Sequence, residues 1–333
     1  MIAGRRLTLG LVALLAIGTV AGFLDRLSWI FEPADVFRVQ YAAAAALVAL
    51  LALVGRSIRV AVAAAVTAAL NLAVVAPWHG IGNPPVPAGS PTVRIVAFNV
   101  DASNHRYREL GPLLARLEPE IVGLTEVTPE WAAAAREVRG LVPRRLVPER
   151  GAYGIALLST AQPESVRVAR FPGSGPPVVA ARFRIDGRPL TFVLVHLHTP
   201  FAGSVHVREL NALARARPRL GRRLVVCGDF NTVPWSAQLG DFAASTGLRD
   251  AFAGSWPSYS WPSWSPLLRV PIDHCLVSDG IAVLGRRYGP SGGSDHFPVV
   301  VDLALVPFRA RPAARSPHGS GLAAVRRTVG GQR

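Results

Sequence analysis

The chain has 333 residues, of which half are hydrophobic, and its 36 basic residues against 21 acidic ones give a formal net charge of +15. Every basic residue is arginine, and alanine, glycine, proline and valine dominate the rest, a bias typical of a GC-rich genome. The charge is therefore weak evidence for a nucleic-acid partner. No cysteine or third histidine supports the neighbouring pair His196 and His198, so the sequence does not favour a zinc site.

The first 78 residues contain three long apolar runs. Residues 7–24, 39–55 and 60–78 are free of charged side chains. At 1.5 Å per residue such runs extend about 26 to 29 Å, close to the thickness of the hydrocarbon core of a bilayer. We predict a three-helix transmembrane region in contact with the lipid bilayer. A cleaved signal peptide is the alternative for the first run.

Arginine placement predicts the orientation of these helices. Arg5 and Arg6 precede the first span, and Arg56 and Arg59 lie around the short second loop, whereas the longer first loop mixes arginines with acidic residues. Because basic loops favour the cytoplasmic side, the N-terminus is expected inside. The sequence thus predicts a multi-pass protein of the cell membrane with an extracytoplasmic domain after residue 78.

Composition divides the rest of the chain into three parts. Residues 79–91 are rich in glycine and proline and predict a semi-rigid linker. Residues 307–333 carry arginine, glycine, serine and proline without a hydrophobic pattern, which predicts a disordered basic tail. Residues 92–306 are left as one globular domain.

Within this domain, short β-branched runs alternate with helical patterns. Strands are predicted at 93–99, 121–124, 153–159, 178–185, 191–196, 224–227, 272–277 and 299–305, and helices at 107–117, 131–138 and 205–220. This alternation is typical of an α/β fold in which helices cover a mixed sheet. Polar residues follow several of the strands, where loops gather over a rigid sheet.

The most informative strand end is the sequence Gly228, Asp229, Phe230 and Asn231, which follows an apolar run ending at Cys227. Strand side chains alternate with a period of two, so Asp229 and Asn231 share a face. A carboxylate and a carboxamide placed together can orient a water molecule and hold a phosphate oxygen. The other polar strand ends, in chain order, supply Asn99 with Asp101, Glu126, His196, Asp273, and Asp295 with His296.

Taken in this order, the motifs resemble the endonuclease/exonuclease/phosphatase superfamily over residues 92–306, and the apolar N-terminus resembles its membrane-anchored bacterial branch. The resemblance implies a DNase-like four-layered α/β sandwich, in which two packed mixed sheets are flanked by helices. It also implies a divalent-metal-dependent phosphoesterase.

The resemblance assigns a role to each strand-end residue. Glu126 matches the metal carboxylate, and Asn99, Asp101 and Asp295 would lie near the same site, a set of oxygen ligands that suits Mg²⁺ or Mn²⁺. The alternative to a metal-binding role for Asp101 is that of a turn residue. Thr125 stands where many members have glutamine, a departure that bears on the orientation of Glu126.

The remaining residues match the family's catalytic and substrate-binding positions. Asp229 would orient or deprotonate the attacking water, and Asn231 would hold the phosphate. Asp273 would pair with His296, and His196 would contact the phosphate or the leaving group. Whether Asp229 or His296 is the general base stays open.

Two further features, the tryptophan loop and the cysteine pair, have two interpretations each, and the strand around Tyr153 departs from the family pattern. Trp256, Trp261 and Trp264 form a loop that either faces the substrate or packs locally. The strand predicted around Tyr153 supplies no obvious tyrosine for the phosphate. Cys227 and Cys275 lie in apolar strands, which favours two buried thiols over a disulfide.

These features predict a membrane-anchored phosphoesterase that hydrolyses phosphodiester or phosphomonoester bonds by in-line attack of water. Its partner is a phosphate-ester substrate, for which nucleic acid and lipid headgroups are the two classes considered. The alternatives are a phospholipid or sphingomyelin phosphodiesterase and a domain that binds a phosphorylated ligand without turnover. No protein partner is predicted.

Overall fold

The computed structural model describes residues 2–76, with side chains from residue 8, and residues 83–173, 175–255 and 259–308. Four predicted features lie wholly or partly outside the described residues. They are the end of the third span at Trp78, residues 79–82 of the linker, Trp256, and residues 309–333 of the tail.

The N-terminal region consists of α1 (Ile2–Gly22), α2 (Arg38–Val54) and α3 (Ile58–Val75), with a short 3₁₀ helix, Trp29–Ala34, between α1 and α2. Among the described helices, α3 is the one that is both long and apolar enough to cross a membrane, with a mean hydropathy of 2.1 over 18 residues. The apolar parts of the other two, Thr8–Gly22 and Arg38–Val54, are shorter. A single helix of this length and hydropathy is also found in the cores of soluble proteins. Helix length therefore does not establish the three predicted membrane spans.

The rest of the described chain forms two six-stranded sheets and four helices. One sheet contains β1 (Thr92–Asn99), β2 (Ile121–Thr125), β3 (Val142–Val147), β4 (Ile155–Ser159), β11 (Ile281–Tyr288) and β12 (Val299–Leu305) in the order β11-β12-β1-β2-β4-β3. The other contains β5 (Ser165–Arg170), β6 (Pro177–Ile185), β7 (Arg188–His196), β8 (Leu224–Asp229), β9 (Arg249–Asp250) and β10 (Asp273–Val277) in the order β5-β6-β7-β8-β10-β9. The helices are α4 (Leu110–Leu117), α5 (Pro129–Arg136), α6 (Ser204–Ala216) and α7 (Ala237–Thr246).

The two sheets pack face to face over the main hydrophobic core, which contains Ile95, Phe192, Leu194 and Val301. The sheets approach closely at Gly123, where a Cβ would lie 2.6 Å from the Leu194 side chain. Helices α4 and α5 cover the outer face of the first sheet, and α6 and α7 cover the outer face of the second. The predicted four-layered α/β sandwich is thus confirmed.

Strand directions bring the polar strand ends to one edge of the sandwich. In the first sheet β1 and β2 are parallel, and Asn99 pairs with Thr125 at their carboxyl ends. In the second sheet β7 and β8 are parallel, and His196 pairs with Asp229. β10 runs antiparallel to β8, so its first residue, Asp273, also lies opposite Asp229. The residues that follow or begin these strands therefore meet at the same end.

Several elements differ from the sequence prediction. The edge strands β3 and β5 were not predicted, because arginines interrupt both segments and neither contains a buried apolar run. Strand β11, with an irregular register between Val283 and Gly285, and helix α7 were also missed. The helix predicted over 205–220 ends at Ala216 and continues as a short 3₁₀ helix, Arg217–Arg219, because Pro218 cannot extend the α-helical hydrogen bonding.

The prediction of two buried thiols is wrong, because Cys227 and Cys275 form a disulfide. The two residues lie directly opposite each other on the antiparallel strands β8 and β10, with 4.2 Å between their Cα atoms. Apolar flanks indicated burial correctly, but the sequence did not reveal the register that pairs the two residues. The disulfide joins the strand that ends at Asp229 to the strand that begins at Asp273.

The predicted linker and tail are partly packed on the domain where the structure describes them. Asn83 exchanges two hydrogen bonds with the backbone of Val283 on β11, donating at 2.5 Å and accepting at 3.1 Å. The ring of Phe308 lies under the guanidinium groups of Arg222 and Arg223, at 3.7 and 4.3 Å. These contacts fix the segment before the domain and the segment after it to the domain's surface.

The loop between α1 and α2 docks on the α/β domain, a contact the sequence did not predict. Asp25 accepts a hydrogen bond of 2.7 Å from the backbone nitrogen of Ala237, at the start of α7. Trp235 donates from its indole nitrogen to the carbonyl of Asp35 at 2.8 Å. Gln40 donates to the carbonyl of Arg269 at 3.0 Å. The helical region is therefore packed against the site end of the domain as well as joined to it through the chain.

Candidate active site

Backbone turns at the strand ends direct the polar side chains into a common site. Glu126 and Asn231 have φ angles of 60° and 51°, in the left-handed region that non-glycine residues rarely occupy. Gly228 has a φ of 137°, and a Cβ there would collide with the carbonyl oxygen of Val195. Only glycine therefore allows β7 and β8 to approach closely just before His196 and Asp229.

Asn99 lies at the centre of the site and connects the two sheets. Its amide nitrogen donates to Glu126 Oε1 at 3.0 Å and to Asp229 Oδ2 at 3.1 Å. The same nitrogen lies 3.4 Å from His296 Nε2. One carboxamide thus contacts the predicted metal carboxylate, the predicted water-orienting carboxylate and the predicted catalytic histidine.

Asp273 and His296 form a buried dyad. His296 Nδ1 donates to Asp273 Oδ2 at 2.7 Å, which directs Nε2 into the site, 3.8 Å from both Asp229 Oδ2 and Asp295 Oδ1. Burial alone would lower the pKa of His296, but the carboxylate of Asp273, with help from Asp229 and Asp295, outweighs burial and raises it to about 10. His296 is therefore an imidazolium at neutral pH.

Asp229 is buried between the two histidines. Burial and the nearby charge of Asp273 raise its pKa to about 6, against the opposite effect of His296 and His196. Its Oδ1 accepts a hydrogen bond of 2.8 Å from the backbone nitrogen of Asn231. This bond holds the carboxylate in place and leaves Oδ2 facing the centre of the site.

His196 and Asn231 border Asp229 with fixed orientations. His196 Nδ1 donates to the carbonyl of Ala152 at 2.9 Å, so its Nε2 faces Asp229 Oδ2 at 3.5 Å. The side-chain nitrogen of Asn231 donates to the carbonyl of Leu197 at 2.8 Å, which orients the carboxamide. Both side chains are thus held next to Asp229 by bonds to the backbone.

The predicted metal ligands divide into two groups. Glu126 and Asp295 lie on either side of Asn99 and His296. Glu126 Oε2 accepts from the backbone nitrogen of Ala102 at 2.9 Å, and burial raises the pKa of Asp295. Asp101 instead bonds to the backbone nitrogen and hydroxyl of Ser103, at 2.8 and 2.7 Å. That is the arrangement of a turn residue, and a metal role for Asp101 stays a prediction.

The donor set fits a hard divalent cation. Glu126, Asp229 and Asp295 offer carboxylate oxygens around the carboxamide of Asn99, and no arginine in the described ranges forms a salt bridge with any of them. Such a surplus of oxygen donors and negative charge suits Mg²⁺ or Mn²⁺. Ligand atoms of Asp229, Asp273 and His296 also lie within 4.8 Å of one another. We assign Asp273 and His296 to the dyad instead, because His296 Nδ1 and Asp273 Oδ2 are already joined by a hydrogen bond of 2.7 Å.

Three site residues were missed or left undecided by the sequence. The Tyr153 ring lies 5.2 Å from the His196 ring and 4.7 Å from the His198 ring, so a tyrosine does border the site. Glu209 holds His198 through its backbone nitrogen and Nδ1, at 2.9 and 2.6 Å. Trp261 donates to Asp295 Oδ2 at 2.8 Å, so this tryptophan positions a site residue. The glycines flanking Tyr153 were the available signal for a tight turn.

Comparison with known proteins finds solved structures of similar fold. The structure of D. rerio TDP2 complexed with a single-strand DNA product is 16% identical, with a TM-score of 0.56 over 64% of this chain and 98% of that chain. A mannosyl-6-phosphatase from Bacteroides thetaiotaomicron is 16% identical, with a TM-score of 0.53 over 64% and 99% of the two chains. The human Nocturnin catalytic domain with bound sulfate is 20% identical, with a TM-score of 0.51 over 65% and 96%.

At these identities the structures establish a common fold. No curated protein sequence matches the chain. The model of the Endonuclease/Exonuclease/phosphatase family matches residues 96–296, which is more than half of the chain and spans the strand ends from Asn99 to His296. The chain therefore belongs to the endonuclease/exonuclease/phosphatase family.

Proposed function

We propose that the chain is a membrane-anchored, divalent-metal-dependent phosphoesterase that hydrolyses a phosphodiester or phosphomonoester by attack of water. The observation that carries the proposal is the contact of Asn99 with Glu126, Asp229 and His296 at the meeting point of the two sheets. This arrangement places a proton acceptor, an imidazolium and an oxygen-rich cation site around one small volume.

Asp229 is the group that accepts the proton of the attacking water. Its Oδ1 is fixed by the backbone nitrogen of Asn231, and its Oδ2 faces the site. His296 is held by Asp273 with its Nε2 beside Asp229, so the imidazolium stabilises the negative charge that develops on the phosphoryl oxygens. Asp273 acts through His296 and is a positioning residue.

His196 and Asn231 bind the phosphate. The Nδ1 atom of His196 is bonded to a backbone carbonyl, which leaves Nε2 for a phosphoryl or leaving-group oxygen. The Asn231 carboxamide is oriented by Leu197. Because these bonds fix both side chains before a substrate arrives, binding requires little reorganisation of either residue.

Glu126, Asn99 and Asp295 would hold Mg²⁺ or Mn²⁺ at the other side of the site. A bound divalent cation supplies charge stabilisation to the phosphoryl oxygens. Asn99 and the backbone nitrogen of Ala102 orient Glu126, and Trp261 orients Asp295. A domain that only binds a phosphorylated ligand would not need the buried Asp273–His296 dyad beside Asp229, and the dyad therefore favours catalysis.

The packing of the three N-terminal helices supports a membrane anchor. Small residues such as Ala45 and Ala64 are fully buried between the helices, whereas large apolar residues point outward. The outward residues include Leu14, Ile17, Leu47, Leu50, Leu51, Val62, Val66 and Leu72. Small residues inside and large apolar residues outside are typical of helices that pack in a bilayer, where the surrounding lipid is itself apolar.

The disulfide supports an extracytoplasmic location for the catalytic domain. Disulfides such as Cys227–Cys275 form and persist in oxidising compartments and are rare in the cytosol. The arginines around the N-terminus and the second loop favour the same orientation. Two independent features thus point to a domain outside the cytoplasm.

The proposal is tested with full-length protein in detergent and bis(p-nitrophenyl) phosphate as the substrate. We expect hydrolysis with Mg²⁺, loss of hydrolysis with EDTA, and a decrease of roughly 10³-fold or more for Asp229→Asn. The matched control is Asp186→Asn, an exposed aspartate in the β6–β7 turn at the opposite end of the strands. Equal rates for Asp229→Asn and wild type would contradict the proposed catalytic site.

A further inference from the structure

Exposed large hydrophobic side chains cluster where the helical region meets the α/β domain. In the loop between α1 and α2 they are Leu27 and Ile30. On the domain they are Phe201, 78% exposed, on the loop after β7, and Trp264, Leu267 and Leu268 on the loop before β10, with Leu267 82% exposed. Contiguous exposed apolar groups of this kind mark an interaction surface. We call these six residues the apolar rim.

The loop before β10 lies beside the first turn of α2. Gln40 is on the first turn of α2, and it donates to the carbonyl of Arg269 at 3.0 Å. Leu267 and Leu268 precede Arg269 directly and are therefore held beside that first turn. If α2 crosses a bilayer, these leucines lie at its surface.

The loop after β7 lies at the same level. A Cβ on Gly203 would contact the Trp29 ring at 3.4 Å, and Trp29 begins the short helix between α1 and α2. Phe201 is two residues from Gly203. Both domain loops of the rim are therefore fixed to the segment that connects two apolar helices.

Both loops also border the candidate active site. Phe201 follows His196 by five residues and lies between His198 and Glu209, whose side chains are hydrogen-bonded to each other. Trp264 lies three residues after Trp261, whose indole nitrogen bonds to Asp295 and whose ring lies 6.4 Å from the His296 ring. Phe201 and Trp264 of the rim are thus joined to the candidate active site by short stretches of chain.

We propose that the apolar rim lies in the interfacial region of the bilayer, and that the active site opens along this surface and acts on the phosphate ester of a membrane-lipid headgroup. The inference about the substrate rests on the proposed function. A bilayer is the occupant, because the two domain loops of the rim contact Trp29 and the first turn of α2, and the helices next to them carry exposed leucines and valines. Apolar and tryptophan side chains next to membrane helices are typical of the interface.

The charge distribution favours lipid over nucleic acid at the rim. Arg269, the arginine next to Leu268, points into the protein, with its guanidinium 4.9 Å from the Tyr259 ring and 4.8 Å from the Phe297 ring. A surface that binds nucleic acid would present such arginines to the phosphate backbone. At the rim, phenylalanine, tryptophan, leucine and isoleucine take exposed positions, and the exposed Arg26 next to Leu27 is paired with Asp241 at 3.4 Å.

The position of the rim is tested by nitroxide labelling in vesicles of phosphatidylcholine and phosphatidylglycerol. The full-length chain carries Leu267→Cys or Phe201→Cys, and the native disulfide is buried and does not react with the label. We expect higher collision rates with oxygen than with a polar nickel complex at both labels. The control is Val142→Cys, on an exposed valine at the far end of the first sheet. Equal behaviour of rim and control labels would overturn the proposal.

The substrate class is tested with matched assays. Wild type, Leu267→Ser, Phe201→Ser and the control Val142→Ser are compared on bis(p-nitrophenyl) phosphate and on vesicles containing phosphatidylcholine, phosphatidylglycerol, phosphatidylinositol and sphingomyelin. We expect hydrolysis of at least one vesicle lipid, reduced about tenfold by the two rim variants, with unchanged rates on the soluble ester. A rim variant that lowers both rates equally would overturn the proposal.

The lipid inference and the proposed function are contradicted by different outcomes of these assays. Hydrolysis of the soluble ester without hydrolysis of any vesicle lipid, or with hydrolysis of single-stranded DNA instead, overturns the lipid inference and leaves the proposed function intact. Absence of hydrolysis of the soluble ester with Mg²⁺ contradicts the proposed function itself. The labelling result stands in either case, because it does not depend on turnover.

Discussion

The charge of His296 is set by one neighbouring residue. Asp273 accepts from His296 Nδ1 at 2.7 Å, and this contact raises the pKa of a buried histidine to about 10 although burial alone would lower it. The Asp273 carboxylate therefore keeps the His296 imidazole protonated before the reaction begins. The pairing of Asp273 with His296 was predicted from the family resemblance, whereas the surrounding contacts with Asn99 and Asp295 required the structure.

Replacement of this carboxylate changes the pH profile. In Asp273→Asn the pKa of His296 falls, because burial remains and the main stabilising charge is lost. We expect the hydrolysis rate of the variant to decline as pH rises from 6 to 8, whereas wild type keeps the imidazolium through this range. At pH 8 the loss should be about 10²-fold or more. A variant profile parallel to that of wild type would contradict the role of the dyad.

Glu32 and His206 form a second buried pair, outside the active site. Glu32 Oε1 accepts from the Thr232 hydroxyl at 3.0 Å, and His206 Nδ1 donates to the carbonyl of His198 at 2.6 Å. Within the described residues, Glu32 Oε2 and His206 Nε2 have no hydrogen-bond partner. Burial raises the pKa of Glu32 to about 7 and lowers the pKa of His206 to about 4. Glu32 Oε1 lies 3.5 Å from His206 Nε2, so a protonated Glu32 beside a neutral His206 leaves no buried charge at this contact.

This pair predicts a pH-dependent effect on stability. The pKa of Glu32 is higher in the folded protein than the ordinary value of 4.5, so its contribution is complete below pH 4.5 and is lost as pH rises through about 7. Glu32→Gln imitates the protonated form. We expect the variant to match wild type in thermal stability at pH 5 and to exceed it at pH 8 by up to about 3 kcal/mol.

The measurement is thermal unfolding of the full-length protein in detergent at both pH values. Glu137→Gln, at an exposed glutamate that ends α5, is the matched control and should change neither midpoint. A Glu32→Gln variant that is less stable than wild type at pH 8 would show that the carboxylate is charged and stabilising there.

At the scale of elements, most strands that carry apolar runs were predicted, whereas the edge strands β3 and β5 and the strand β11, whose apolar residues 281–284 are followed by Gly285 and two arginines, were not. β1, β2, β7, β8, β10 and β12 are buried on both faces, so their hydrophobic runs are visible in the sequence, and these strands position the site. Arginines interrupt the apolar residues of the edge strands β3 and β5, which take their structure from pairing with β4 and β6. Long-range pairing of this kind leaves little local signal in the sequence.

The disulfide between β8 and β10 is expected to stabilise the site end of the domain. Its cross-link closes a loop with a sequence separation of 48 residues, for which the typical stabilisation is about 2–4 kcal/mol. In Cys227→Ala with Cys275→Ala we expect the unfolding midpoint to fall by roughly 5–15 °C. Reducing agent should lower the midpoint of wild type and leave that of the double variant unchanged. Thiol titration that finds two free cysteines in the unfolded, unreduced protein would contradict the disulfide.

At the scale of the whole molecule, the helical region and the α/β domain depend on each other. Asp25, Asp35 and Gln40 form hydrogen bonds to the domain, and Val36 and Phe37 pack against Val233, Val270 and Ile272. The sequence predicted both regions and a linker between them. It could not predict their contact, because the docking residues lie in two loops far apart in the chain and share no periodic pattern.

Removal of the helical region should therefore weaken the domain. A chain that begins at residue 83 leaves the apolar cluster around Val270 exposed and the backbone nitrogen of Ala237 without its partner. We expect its unfolding midpoint to fall by roughly 5 °C or more relative to the full chain. Deletion of residues 309–333 is the comparison, and it should leave the midpoint unchanged. An equally stable shortened domain would show that the docking contributes nothing.

The most direct test of the central claim follows oxygen during the reaction. Full-length protein hydrolyses bis(p-nitrophenyl) phosphate with Mg²⁺ in water enriched in ¹⁸O, and mass spectrometry locates the label, with Asp229→Asn as the blank. Attack of water on phosphorus predicts one ¹⁸O in the phosphate monoester and none in the released p-nitrophenol. Label in p-nitrophenol, or the same turnover in the Asp229→Asn blank, would contradict hydrolysis by this site.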